Sequence, residues 1–181
     1  MIIAGIDYSM RCPCITIANT KDFCFDKCSI HYLTDTPKYA GTFANANGTY
    51  FEPPKDQIER FIRIGQWASG LVSNADMILL EDYAMGARGK VFHIAENTGI
   101  LKYFLYVANR QWKTLAPTSL KKYATGKGNS DKNAMYRAFL DETKVDLMAR
   151  FKRKGVNVTS PISDIVDSFY LCKYLFTSTL E

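Results

Sequence analysis

At 181 residues, with 47% hydrophobic and 23% charged side chains, the chain is expected to form one soluble domain with a full hydrophobic core. No apolar run approaches the roughly 18–20 residues that span a bilayer, and no basic-then-apolar export signal opens the sequence, so a membrane span is excluded and an intracellular location expected. The formal net charge of +5 is unevenly spread: Lys113 to Lys154 holds eleven Lys/Arg against four Asp/Glu, and the remainder nets −2. A basic half beside acidic residues suits a polyanion held by one part and cut by the other, or simply a solvated pair of charge-rich helices.

Residues 2–7 read as a buried strand. Ile15 and Ile17, then the alternating Phe23 and Phe25, predict two further strands joined by a turn at Asn19-Thr20-Lys21-Asp22. Three strands in quick succession make an antiparallel meander, because parallel partners need longer crossovers. Residues 34–52 have no clear period and read as a long loop or an irregular extra hairpin. Between Pro53 and Ser73 a helical stripe of Ile58, Phe61, Ile62, Trp67, Ala68, Leu71 and Val72 appears. A strand at 76–81 follows, then a loop from Asp82 to Gly89.

Residues 91–109 predict a second helix packing through Val91, Ile94, Ala95, Thr98, Leu101, Leu105 and Ala108. Trp112 to Leu115 is a short strand, followed by a basic loop that opens a third helix near Ser130. Residues 150–160 form a basic connector, and a last helix runs from Pro161 to Phe176, capped by Ser160. The order β-β-β-α-β-α-β-α-α gives an α/β fold: a mixed five-stranded sheet with helices on both faces.

Five cysteines are an odd count for a disulfide framework, and reduced thiols are the default inside cells. Cys12, Cys14, Cys24 and Cys28, with His31 nearby, raise a zinc site, but their spacing is not a usual zinc pattern; Cys14 and Cys24 fit better as inward residues of neighbouring strands.

Four acids carry the chemistry. Asp7 follows five apolar residues, so it either ends its strand in solvent or meets a partner. Glu81 repeats the pattern; its neighbour Asp82 is held in reserve, since strand alternation lets only one of the two point into a given face. Asp164 and Asp167, three apart, project from one face of the last helix while Ile162, Ile165, Val166, Phe169, Cys172 and Phe176 bury the other. Asp164 is also explained as a first-turn acid; Asp167 less well. Four converging carboxylates repel unless hard cations sit between them, which points to a metal-dependent site for phosphate chemistry.

Gly5-Ile6-Asp7 with Ser9, Leu80-Glu81, Ala116-Pro117 with Lys121-Lys122 and the run Thr125 to Lys132, and Asp164-Ile165-Val166-Asp167-Ser168 occur in an order that resembles the RuvC family of Holliday-junction resolvases, members of the RNase H-like superfamily. The resemblance implies one RNase H-like nuclease domain over 1–181, two Mg2+ or Mn2+ ions on Asp7, Glu81, Asp164 and Asp167, and a homodimer that cuts four-way DNA junctions. Asp7 would bridge the ions, leaving 5′-phosphate ends. It places Lys121 and Lys132, helped by Lys122 and Lys127, on the DNA backbone, positioning it rather than reading bases.

The loop holding Tyr83 and Arg88 would reach the junction centre, with Tyr83 as a wedge, and Phe92, Tyr103, Phe104 and Tyr106 would face the second subunit. A cytoplasmic or nucleoid setting, or the host cytoplasm for a viral member, goes with that activity. The loop 34–52 has no counterpart in the bacterial enzymes and leaves substrate range open. Other readings are an RNase H-like nuclease acting on other branched DNA or RNA–DNA hybrids, and a catalytically silent DNA-binding scaffold.

Overall fold

The computed structural model describes residues 1–83 and 91–179. Its elements are β1 (Ile2–Asp7), β2 (Cys14–Asn19), β3 (Ser29–Thr34), β4 (Gly41–Phe43), β5 (Ala46–Tyr50), α1 (Gln57–Leu71), β6 (Met77–Glu81), α2 (Val91–Val107), β7 (Trp112–Leu115), α3 (Pro117–Thr125), α4 (Lys132–Thr143), α5 (Leu147–Arg150) and α6 (Ile162–Ser178). The sheet runs β4-β5-β3-β2-β1-β6-β7, with β1-β2-β3 an antiparallel meander and β1-β6-β7 parallel. The class is as expected from the sequence.

Seven strands among the described residues replace the expected five. The extra two come from 34–52, which is the hairpin of the two alternatives: β4 and β5 turn at Ala44, whose φ is +57°, and β5 pairs parallel with β3. Asn45 pins the hairpin by donating to the carbonyls of Phe25 at 2.6 Å and Cys28 at 3.1 Å.

The third strand lies at 29–34, not at Phe23 and Phe25. Those two rings stand in or beside short 3-10 turns and still point inward, stacking on Phe176 and meeting Phe139 and Phe169, so burial produced the alternation without a strand. Cys24 is consequently exposed, whereas Cys14 is buried.

Each face of the sheet has its own core. Ala4, Ile6, Ile15, Leu33, Ile78 and Leu80 pack with α1 and α2, and Ile3, Cys14, Ile30, Tyr32 and Leu79 pack with α4, α5 and α6. α1 begins at Asp56, whose carboxylate accepts from the Glu59 amide at 2.7 Å, and buries Phe61, Ile64, Gly65 and Ala68. Ile58 and Ile62, expected inside, stand 50% and 37% exposed. The basic loop is preceded by α3, which the apolar pattern of the sequence does not announce; Pro117 opens it and Gly126, at φ +79°, ends it in the left-handed conformation that glycine accepts without strain.

Candidate active site

β1 and β6 run parallel with Ile6 opposite Leu80, so the next residues, Asp7 and Glu81, end adjacent strands in step. Residues side by side across a ladder point to the same face. Asp7 lies opposite Cys14, whose sulfur accepts from Ser168 of α6, so that face is the one α6 covers. α6 begins above it and brings Asp164 and Asp167 down from its first turns.

The four acids line one cleft of about 320 Å³ with Ser9, Pro117, Lys121, Lys132 and Met135. Asp82, one residue beyond β6, is not among them; it lines an adjoining cleft that Asp7 and Glu81 also border.

Charge is concentrated here. Burial, followed by the charges of Glu81, Asp164 and Asp167, holds the Asp7 carboxyl well above the usual range. Burial and Asp167 push Glu81 up to about 8, against the pull of Lys121 and Lys132. Burial and Asp164 push Asp167 up to about 7, again opposed by the two lysines. Asp164 is raised by burial and pulled back by hydrogen bonds from Ser160 and Ser163 and by Lys132. The Asp7 carboxyl feels the repulsion of all three other acids.

Two serines in this network were missed by sequence reasoning. Ser160, expected to cap α6, donates instead to Asp164, and α6 has no side-chain cap. Ser163 donates to Asp164 Oδ1 at 2.9 Å and accepts from Lys132 Nζ at 3.1 Å, linking cation and acid across 31 residues of sequence. A serine beside an acid is too common a pair to have signalled this.

Of the expected DNA contacts, Lys121 and Lys132 line the acidic cleft, Lys122 and Lys127 are exposed outside it, and Arg88 lies outside the described residues. Tyr83 lines a neighbouring, more apolar cleft of about 450 Å³ with Tyr8, Ile94 and Thr98, and the Lys102 ammonium stands 6.0 Å from its ring centre. Phe104, expected to face a partner, packs on Gly65 of α1, while Phe92, Tyr103 and Tyr106 are exposed.

As they stand, no three His, Cys, Asp or Glu side chains among the described residues form a group able to hold a metal; the acids share a cleft rather than a point, and the cysteines do not assemble. The donor chemistry of the cleft still fits hard divalent cations: four carboxylates, half-buried or buried, with like charges to be neutralised.

No family model and no curated sequence matches the chain. Solved structures do. Thermus thermophilus RuvC superposes with a TM-score of 0.61 at 13% identity, over 99% of this chain and 96% of that one. Fowlpox virus resolvase, solved with substrate Holliday junction DNA, gives 0.56 at 19% identity over 100% of both. The yeast mitochondrial Holliday junction resolvase gives 0.57 at 14%, over 96% of this chain and 77% of its own.

The chain has the RNase H-like fold of these resolvases. At such identities the likeness speaks for the fold alone, which is the fold that the RuvC resemblance implied. No helix among the described residues is long and apolar enough to cross a membrane.

Proposed function

We propose that this protein is a structure-selective DNA endonuclease that resolves four-way junctions. One observation carries the reading: three separate elements of the fold deliver four carboxylates into one cleft, with two lysines on its rim. Proteins that share its fold over nearly their whole length include resolvases solved with Holliday junction DNA.

Asp7, Glu81, Asp164 and Asp167 would hold two Mg2+ or Mn2+ ions. Bound there, the ions supply Lewis-acid activation of water on one side of a phosphodiester and charge neutralisation of the leaving 3′ oxygen on the other, which leaves a 5′ phosphate. Ser160 and Ser163 hold the Asp164 carboxylate in one orientation. Lys132, fixed by Ser163, and Lys121 offer positive charge to the phosphate backbone.

Two symmetric cuts in one junction call for two copies of the chain. The outer face of α2 suits that contact: Phe92, Tyr103, Tyr106 and Val107 are 77%, 62%, 75% and 64% exposed. At 3.6 residues per turn these four fall within an arc of about 100°.

The deciding experiment is cleavage, with Mg2+ or Mn2+, of labelled four-way, three-way, flap, linear and RNA–DNA hybrid substrates. Paired symmetric nicks confined to the four-way DNA are expected. Cleavage of hybrids alone would replace this reading with a hybrid-specific nuclease.

A further inference from the structure

The basic connector meets the 3-10 turn at Pro37–Tyr39 and the β4 strand that follows it, far apart in sequence, to form a cleft of about 590 Å³ lined by Lys38, Tyr39, Phe43, Phe151, Lys152, Arg153 and Lys154. Four of the seven are cationic and none is acidic. Among the described residues, none of these four cations has a carboxylate within 4 Å. Unpaired cations gathered in a concavity raise the local potential for an anion.

The floor is rigid. Phe43 and Phe151 stack with centres 4.4 Å apart, and Arg153 lies over the Tyr39 ring at 5.3 Å while donating to the Tyr39 hydroxyl and to Thr159. Lys38, Lys152 and Lys154 are exposed around it.

The cleft is joined to the acidic site. The Thr159 carbonyl accepts from the amides of Ile162 and Ser163, and Ser160, next in sequence, bonds Asp164. Tyr39 sits over β5, its carbonyl accepting from Tyr32 at 2.6 Å, at the same end of the sheet as Asp7. β5 is three strands from β1, a separation of roughly 14 Å. That is close to the width of a B-DNA major groove, about 12 Å.

We infer that this cleft holds the sugar-phosphate backbone of a duplex arm whose neighbouring strand lies in the acidic site. The inference rests on the junction-cleaving reading above. It gives the β4–β5 hairpin a role in substrate range: an arm must continue as duplex beyond the cut to reach the cleft.

The test compares the parent with the triple variant K38Q/K152Q/K154Q in EDTA, reading affinity for a four-way junction against salt. Arg153 is left in place because it braces the floor. Because the variant neutralises three fewer phosphates, the parent should shed about 40-fold more affinity than the variant between 50 and 200 mM salt. Neutral methylphosphonate linkages placed in the strand that faces the cut strand across the major groove should weaken the parent to the level of the variant and leave the variant unchanged.

Equal salt dependence in both proteins, or equal weakening of both by methylphosphonates, overturns the assignment. A parent that binds junctions while the variant behaves identically sinks this inference alone. A parent that binds no branched DNA sinks the functional reading and this inference with it.

Discussion

Gly5 lies directly against the backbone of Ser168. A Cβ at Gly5 would stand 2.4 Å from the Ser168 carbonyl oxygen and 2.3 Å from the Cys172 amide nitrogen. Both obstacles are main-chain atoms, so no rotamer change relieves them. This close approach, with the Thr16–Ser168 hydroxyl bond of 2.8 Å, sets the height of α6 above β1 and so the separation of Asp164 and Asp167 from Asp7. Gly5→Ala should therefore lower stability by about 1–3 kcal/mol or more, the range seen for overpacked cores. Cleavage should fall further than unfolding at the assay temperature explains. Urea denaturation beside single-turnover rates checks both; wild-type values for the two would show that α6 does not depend on this approach.

Asp7→Asn should abolish cleavage while junction binding stays equal or tightens, since one negative charge beside the phosphates is removed. Gel-shift titration and a nicking assay on the same preparation read the two effects apart. A variant that cuts at the parent rate would remove Asp7 from the chemistry.

In metal-free buffer, stability should fall as pH rises from about 4 to 8. Model carboxyl groups titrate near about 4. In the folded protein Asp167 and Glu81 titrate at about 7 and about 8, and Asp7 and Asp164 are also raised. Between those limits the native state binds more protons than the unfolded chain, so raising pH favours unfolding. Asp167→Asn should flatten the slope. Mn2+ should stabilise the protein more at pH 8 than at pH 5, because a cation competes with protons for the same oxygens. Thermal melts across that range, with EDTA and with Mn2+, test the sign; a rising or flat EDTA curve contradicts it.

Lys121→Ala and Lys132→Ala should each reduce the salt slope of junction binding by about one, independent of DNA sequence. Lys132→Ala also frees Ser163 and removes a positive neighbour of Asp164, so its Mn2+ requirement for half-maximal cleavage should shift as well. A salt slope identical to the parent would take either lysine off the DNA surface.

Tyr103→Glu combined with Tyr106→Glu should convert the protein to a monomer in sedimentation, leaving the melting temperature close to the parent's, because both rings are mostly exposed. Junction cleavage should then show single, uncoupled nicks. An unchanged sedimentation profile would separate α2 from any subunit interface.

Asp7 and Glu81 were legible in the sequence because a carboxylate that ends an apolar run is costly unless it has a purpose. Asp164 and Asp167 were legible because helical spacing puts them on one face and the apolar residues on the other. Alternation admitted only one of Glu81 and Asp82 to a given face, and Glu81 lies nearer the strand. Two elements were not legible: α3 is short, and β3 lies a few residues beyond the misleading Phe23–Phe25 alternation; the hairpin at 41–50, which carries no period, was open between loop and hairpin.

The local pattern of apolar and acidic residues determined, by itself, the class of fold and which carboxylates were candidates for a shared cleft. Tertiary structure decided which groups meet: Ser163 with Lys132, Gly5 with the α6 backbone, and Lys38 with Lys152 and Lys154. Strand register and helix packing join residues from 31 to more than a hundred positions apart, and hydrogen bonds and charges act over a few ångströms of space, which spacing along the chain does not encode.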